Sequence, residues 1–477
     1  MTKKATRILD EEEMQKQREI MHRIKENNEL EKFKTGRQKL MHIITYGCQQ
    51  NVSDSEKITG MLSQMGYEPT EEKENADIII FNTCCVRENA ELKLYGNIGA
   101  LKALKRDNPD LIIAVCGCMM QQEHAVREIK AKYRQVDLVF GTHNLYKLPE
   151  LLEKVNNEKY TLIDIMNTDG IIVEDIPVSR QEKGKAWVTI MYGCNNFCSY
   201  CVVPYVRGRE RSRDPEDILK EIVQLAEGGC KEVTLLGQNV NSYGKDLEDR
   251  VDFADLVRKV NEIDGIERIR FMTSHPKDIS DKLIDTMKEC RKVCNQLHLP
   301  VQAGSNHVLK VMNRKYTREE YLEKIDKVRA ALPGIALSTD IIVGFPGETE
   351  EDFEQTLEMM RRVEYDQAFM FIYSIRQGTP AAKLENQVPD EQKSKRFQRL
   401  VDLQNEISRK INETYLNRVE EVLVEGPSKN NSERFTGRTE TGKVVNFTGT
   451  GDIIGRLVNV RITEIHSWFL NGELMYK

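Results

Sequence analysis

The chain has 477 residues, a formal net charge of -6 and 11 cysteines. That length can bury several cores without disulfide staples, and the charge balance excludes bulk attraction to nucleic acid, leaving only a local basic patch for that purpose. The residues after Met1, "TKKATRILDEEEMQKQ", lack the apolar core of a secretory leader, and no run approaches the roughly 18 apolar residues of a membrane span. A cytoplasmic protein with reduced, metal-binding thiols and no membrane partner is expected.

Residues 1–39 are almost wholly polar, with both signs mixed in "DEEEMQKQREIMHRIKENNELEKFK", and predict a frayed or helical extension without a core of its own. Over 40–158, apolar runs alternate with helix-length amphipathic segments. The runs are "HIITY" from His42, "DIIIF" from Asp77, "LIIAV" from Leu111 and "DLVF" from Asp137. Such alternation predicts an α/β domain with a parallel, doubly wound sheet. The polar "VSRQEKGK" from Val178 marks the next boundary.

Residues 180–413 repeat the alternation with strands at "AWVTIM", "EVTLL", "RIRFM", "QLHLP", "IALSTDII" and "QAFMFIY". One helix start is explicit, with Asp214 as N-cap and Pro215 in the first position. Six strands fall short of a closed eight-stranded barrel and suit an open (βα)6 partial TIM barrel. A long polar helix from Asp390 closes the series. Residues 414–477 then change to short strands with Gly and Asn turns, which predicts a small antiparallel β-barrel.

"GCNNFCSYC" places Cys194, Cys198 and Cys201 at C-x3-C-x2-C spacing just after a barrel strand, where such folds put their chemistry. Clustered thiolates can hold zinc or iron–sulfur. A structural zinc site asks for four ligands, and no fourth Cys or His follows within motif range. A cube with three protein ligands instead leaves one iron open to a small molecule. The motif resembles that of the radical S-adenosylmethionine (SAM) enzymes. The resemblance implies a [4Fe-4S] cluster whose open iron holds SAM, which an external electron donor helps to cleave to a 5′-deoxyadenosyl radical. It also implies SAM contacts in "LLGQNVNSYG", at Gln238 and Asn239, and in "STDIIVGFPGET", at Gly344 and Pro346. "YVRGRERSR", from Tyr205 to Arg213, crowds arginines behind the cluster loop; they suit either substrate phosphates or the SAM carboxylate, or a solvated, paired charge run.

Cys48, Cys84 and Cys118 each follow an apolar strand of the first domain at a similar offset. Carboxyl ends of neighbouring parallel strands converge on one crevice, so these thiols are expected to meet and hold a second cluster. Cys85 adjoins Cys84 and Cys116 lies just before Cys118, so several triplets are open. In extended chain only one of Cys84 and Cys85 can readily face the crevice, and Cys116 continues "LIIAV" as a small buried hydrophobe.

The layout resembles the radical-SAM methylthiotransferase family from Met41 to Lys477: a cluster domain, a radical-SAM domain and a TRAM barrel. "YGCQQNVSDSE", "NTCCVRENA" and "FGTHNLYKLP" look most like the branch that acts on N6-dimethylallyladenosine in tRNA. Gln50 stands where Met is usual and Cys85 where Ala is usual, neither at a ligand position. The resemblance implies that Cys48, Cys84 and Cys118 hold an auxiliary [4Fe-4S] cluster that carries sulfur. A second SAM methylates that sulfur before transfer to C2 of the modified adenine beside the anticodon. The TRAM barrel, which has as many acidic as basic residues, would hold tRNA through a patch such as Arg434, Arg438, Lys443 and Arg461. The alternative substrates are threonylcarbamoyl-adenosine in tRNA or a ribosomal protein side chain.

Overall fold

The structure, a computed structural model, describes residues 8–85, 88–155, 160–166, 170–180, 182–429 and 431–475. The chain divides into two compact units. The first comprises Met1–Gln181, Tyr192–Asn195 and Val202–Arg211; the second comprises Glu182–Met191, Asn196–Cys201 and Ser212–Lys477.

The first unit opens with α1 (Glu11–Thr35), which Asp10 caps by accepting from the Glu13 backbone and Gly36 ends in the left-handed conformation. Its polar sequence buries only Met14, Gln17, Ile20 and Met21. That stripe is too narrow for a core of its own. The helix is therefore fastened to its unit by Met21 in a shared apolar cluster, and by ion pairs from Lys16 to Glu150 (3.1 Å) and from Arg23 to Glu153 (2.7 Å). The sheet follows, built from β1 (Lys39–Thr45), α2 (Gln49–Gln64), β2 (Tyr67–Pro69), β3 (Ile78–Thr83), α3 (Glu88–Ala100), α4 (Lys102–Asp107), β4 (Ile112–Gly117), α5 (Glu123–Lys132), β5 (Leu138–Phe140), α6 (Leu148–Val155) and β6 (Leu162–Asp164).

All its strand pairs are parallel, in the order β2-β1-β3-β4-β5-β6. Alternate residues feed different cores. Ile79, Phe81, Ile113 and Val115 pack in one cluster, while Ile78, Ile80, Ile112 and Ala114 pack in another. Both faces are thus covered, as a doubly wound sheet requires. The winding reverses between β1 and β3, which opens the crevice where such sheets bind ligands. The two edge strands β2 and β6 were not anticipated; unlike the buried "LVF" of β5, their short segments "YEP" and "LID" are partly exposed and carry no unbroken apolar run.

The second unit begins with β7 (Lys185–Thr189). Along the chain follow β8 (Met191–Tyr192), α7 (Val203–Val206), which belongs to the first unit, and β9 (Arg211–Ser212). The alternation then runs α8 (Pro215–Glu227), β10 (Glu232–Leu236), α9 (Phe253–Asn261), β11 (Arg268–Phe271), α10 (Asp281–Glu289), β12 (Gln296–His298), α11 (Asn306–Val311), α12 (Arg318–Ala331), β13 (Ala336–Val343), α13 (Glu350–Val363), β14 (Gln367–Ile372) and α14 (Asp390–Glu413). The strands form two parallel three-stranded halves, β11-β10-β7 and β12-β13-β14, with an Ile269–Val293 bridge beside the gap. This is the open six-stranded partial barrel. Val188, Val233, Leu235, Ile269, Leu297 and Val343 lie in its core.

The chain ends in a closed barrel of β15 (Val419–Ser428), β16 (Asn431–Thr439), β17 (Val444–Thr448), β18 (Leu457–Ile465) and β19 (Leu470–Leu474), ordered β15-β16-β17-β19-β18. It departs from an all-antiparallel barrel at one seam, where β17 and β19 pair in parallel. Val422, Val424, Val445, Phe447, Val460 and Ile462 fill it. It is clasped to the amino ends of the partial-barrel strands. Arg268 donates to the carbonyls of Glu421 (2.7 Å) and Arg438 (3.0 Å), and Arg270 to those of Thr439 and Glu440 (both 2.8 Å). Lys185–Glu425 (2.7 Å) and Lys443–Asp366 (2.9 Å) add ion pairs.

Candidate metal centres

Three adjacent strands of the first unit deliver one cysteine each. Cys48, the N-cap of α2, is the third residue beyond β1, Cys84 is the first beyond β3, and Cys118 the first beyond β4. Two glycines shape these strand ends. Gly47 has φ +135 and leaves the space that Cys84 uses; Gly117 has φ +100, and a β-carbon there would stand 2.4 Å from the Thr83 carbonyl. The ends of the strands are tied by amides: Asn51 donates to Asn82 (3.0 Å) and to the Thr83 carbonyl (3.1 Å), and Asn82 donates back to the Asn51 carbonyl (2.8 Å). Cys48 is exposed, whereas Cys84 and Cys118 are buried.

The neighbouring thiols behave differently. Cys116 lies within β4 among Met41, Ile80 and Phe140, and burial pushes its thiol up. Cys85 is buried beside Cys118 and donates to it; the hydrogen bond and burial hold the Cys85 thiol well up. Receiving that bond brings Cys118 down to about 7, with burial opposing and the Arg207 charge assisting. The thiolate, the form that ligates metal, is thus favoured at Cys118.

Arg207 was read from the sequence as one of a charge run, and the structure gives that run a different place. Arg207, Arg211 and Arg213 are buried, and only Arg209 is exposed. Arg207 donates from Nε to the Cys118 sulfur (3.0 Å) and from Nη2 to Asp54 (2.8 Å). Arg211 donates to the carbonyls of Arg207 and Arg209, and Arg213 to that of Thr189 and to Glu221. Within the first unit a pocket is lined by Asp54, Lys57, His143, Tyr192, Arg207 and Arg211.

The C-x3-C-x2-C loop is shaped by close backbone packing. Gly193 has φ +73, and a β-carbon there would meet the Arg209 carbonyl at 2.1 Å. Within the second unit, Phe197 takes the rare φ of 49 and its carbonyl accepts from Asn313 (2.7 Å). Ser199 donates its backbone N–H to Met312 (2.9 Å) and its hydroxyl to Val311 (2.8 Å). Arg314, buried, donates to the Cys198 sulfur (3.3 Å), to the Pro300 carbonyl (2.9 Å) and to the Tyr316 hydroxyl (2.8 Å). Cys194 falls in the first unit, Cys198 and Cys201 in the second.

Among the described residues, no three His, Cys, Asp or Glu side chains are grouped as ligands of a single metal ion. An iron–sulfur cube takes each thiolate on a different iron, so its ligands need not converge on one point. Both donor sets are soft thiols in loops whose close packing glycines permit, and their donor chemistry fits such clusters.

Three family models match the chain. Residues 188–360 match the Radical SAM superfamily, 40–141 the uncharacterized protein family UPF0004, and 413–475 the TRAM domain. The tRNA-2-methylthio-N(6)-dimethylallyladenosine synthase of Acetivibrio thermocellus is 58% identical over 97% of both chains. That of Alkaliphilus oremlandii is 58% identical over 100% of both, and that of Clostridioides difficile 56% over 100% of both. The chain belongs to this synthase family. Solved structures carry the fold likeness only: a radical SAM methyltransferase, TsrM, from Kitasatospora setae aligns with a TM-score of 0.53 at 14% identity, covering 72% of this chain and 77% of its own.

In this chain the residues expected to touch SAM sit at carboxyl ends of barrel strands, but several are engaged internally. Gln238, half-buried, and Asn239, buried, follow β10. Asn239 donates to Asp278 (2.8 Å) and accepts from the His275 backbone (3.2 Å). Gly344 follows β13 with φ +70, donates to Glu348 (2.7 Å), and a β-carbon there would meet the Lys393 side chain at 2.3 Å; Pro346 is buried. The expected tRNA patch is split. Lys443 is held by Asp366, and Arg438 by Glu425 at 3.2 Å, whereas Arg461 is exposed and Arg434 half-buried. Sequence reasoning missed Arg207 as a partner of Cys118 and Arg314 as a partner of Cys198. The density of arginines behind the cluster loop was a usable signal for the first; nothing local marks the second. Among the described residues no helix is long and apolar enough to cross a membrane.

Proposed function

We propose that the protein is a radical-SAM methylthiotransferase that adds a methylthio group to C2 of N6-dimethylallyladenosine beside the anticodon of tRNA. The observation that carries this reading is the presence of two separate three-cysteine sets, one at the sheet's switch point and one in the loop after β7. One set would hold the cluster that binds SAM, the other the cluster that carries sulfur. The C2–H bond of an adenine resists acid–base chemistry, and SAM bound at a cluster supplies a radical able to break it.

The chain's own part is ligation, orientation and exclusion of water. Cys194, Cys198 and Cys201 would ligate the first cluster, and the buried Arg314 donates to Cys198. Cys48, Cys84 and Cys118 would ligate the second, with Arg207 holding Cys118. Gln238, Asn239, Gly344 and Pro346 lie on the strand ends where SAM would be bound. The terminal barrel would contact tRNA, with Arg434 and Arg461 as the charges available for phosphate. The electron is drawn from an external donor. Mass spectrometry of tRNA from a strain lacking the gene tests the reading: the methylthio group should vanish from dimethylallyladenosine and return with the intact gene. Normal tRNA, or loss confined to threonylcarbamoyl-adenosine or a ribosomal protein, would overturn it.

A further inference from the structure

Arg207 and Asp54 form a buried pair within the first unit, 5% and 6% exposed. The guanidinium spans two acceptors, the Cys118 sulfur at 3.0 Å and the Asp54 carboxylate at 2.8 Å. An arginine is charged at any accessible pH, so both the cation and its N–H donor are permanent features of the Cys118 environment. A buried cation aimed at one sulfur is more than packing demands: an apolar side chain would fill that space without the cost of burying charge.

We propose that Arg207 is a positioning residue that sets the reduction potential of the cluster held at Cys118, with Asp54 acting against it. The proposal rests on the reading of Cys48, Cys84 and Cys118 as ligands. Reduction places one electron, and no proton, on a cluster already rich in negative charge. An N–H donated to a ligand sulfur and a fixed positive charge both favour the reduced state, and hydrogen bonds to the sulfurs are a principal control of such potentials. The Asp54 carboxylate, which accepts from Nη2 of the same guanidinium, offsets part of that charge. The second unit repeats the device with a different balance: Arg314 donates to Cys198 at 3.3 Å, but the Pro300 carbonyl and Tyr316 hydroxyl that hold it are neutral. The cation beside Cys118 is thus moderated by a carboxylate, whereas the acceptors that hold the one beside Cys198 carry no charge.

The test uses full-length protein reconstituted anaerobically with iron and sulfide, in a Cys198→Ala background so that the cluster at Cys118 is observed alone. Iron content comes first. Cys118→Ala should lose about four irons per chain, as one cube requires; if it does not, the ligand reading fails whatever Arg207 does. The reduced cluster is then followed by electron paramagnetic resonance during redox titration, with dithionite as the one-electron reductant. At the midpoint of the parent, Arg207→Gln should lower the reduced-to-oxidised ratio about tenfold, the size of one charge-assisted hydrogen bond. Asp54→Asn should raise the ratio, and Arg207→Lys, which keeps the charge without the fork, should fall between Arg207→Gln and the parent. A merely structural pair would not shift the potential in opposite directions. Full iron with unchanged midpoints, shifts of the same sign, or loss of the cluster in both Gln and Asn variants would each overturn the proposal.

Discussion

A β-carbon on Gly47 would stand 2.6 Å from the Cys84 β-carbon, closer than two such atoms can pack. The strand ends β1 and β3 therefore approach only because position 47 has no side chain, and its φ of +135 is likewise a conformation other residues rarely adopt. Gly47→Ala should push the Cys48 loop away from Cys84. The expected result is loss of about four irons per chain, with backbone strain of about 1–3 kcal/mol in the apoprotein's thermal unfolding. Gly36→Ala is the control, because a β-carbon there meets nothing within 4 Å. Equal iron in the two variants would show that the close approach is not needed for the cluster.

The ligand set itself is open to a direct count. Cys48→Ala and Cys84→Ala should each lose about four irons, whereas Cys85→Ala and Cys116→Ala should keep both clusters. Cys116 is turned into an apolar core, and Cys85 is the donor in its hydrogen bond to Cys118, keeping its own proton. Function should divide along the same line: Cys198→Ala abolishes 5′-deoxyadenosine formation, and Cys84→Ala preserves it while abolishing methylthio transfer. A Cys85→Ala protein short of one cube, beside a Cys84→Ala protein with two, would reassign the ligand.

Glu150 makes the docking of α1 sensitive to acid. Burial works against its ionisation, but Lys154, Lys16 and Gln17 donate to it and hold its carboxyl at about 2. A depressed carboxyl contributes stability above its unfolded value near 4.5 and loses it as pH falls toward 2. Lys16 and Lys154 are half exposed, so screening reduces the contribution to about 1 kcal/mol. Glu150→Gln should therefore destabilise the protein by that amount at neutral pH, with the difference closing between pH 4.5 and 2 in urea titrations. A gap that does not narrow on acidification would rule out the ion pairs as its cause.

The strands were legible because burial on both faces leaves unbroken apolar runs, as in Ile78–Phe81, and β10 falls on "EVTLL" as read. The cysteines were legible because metal chemistry fixes spacing and the doubly wound sheet fixes where its strands end. What stayed hidden depends on tertiary partners. The docking of α1 rests on four buried residues in 25, one of them Gln17, and no period survives in so sparse a stripe. Arg207 looks like any surface arginine until Asp54 is seen beside it, since sequence carries charge but not burial. The partners in the expected tRNA patch were hidden in the same way: Arg438 and Lys443 are cations in sequence, and only the fold shows that Glu425 and Asp366 pair with them.

The clasp on the terminal barrel changes what its removal should reveal. A stop after Leu416 looks like a clean way to delete a binding module. Yet the barrel supplies the carbonyls of Glu421, Arg438, Thr439 and Glu440 that receive Arg268 and Arg270, two arginines only 3% and 6% exposed. Truncation would leave those donors with Glu232, which lies 2.9 Å from Arg270, and water. Each broken bond from a charged donor costs about 1.5–3 kcal/mol. The truncated protein should therefore melt well below the full chain and lose SAM cleavage through instability, not through weaker tRNA binding. Charge reversal separates the two effects. Arg434→Glu with Arg461→Glu touches neither clasp, so melting and 5′-deoxyadenosine formation should hold while tRNA affinity falls and its salt slope shallows by about 2, one for each phosphate no longer neutralised. Gel-shift titrations at several salt concentrations measure this. An unchanged slope with intact melting would place tRNA recognition elsewhere than on these two arginines.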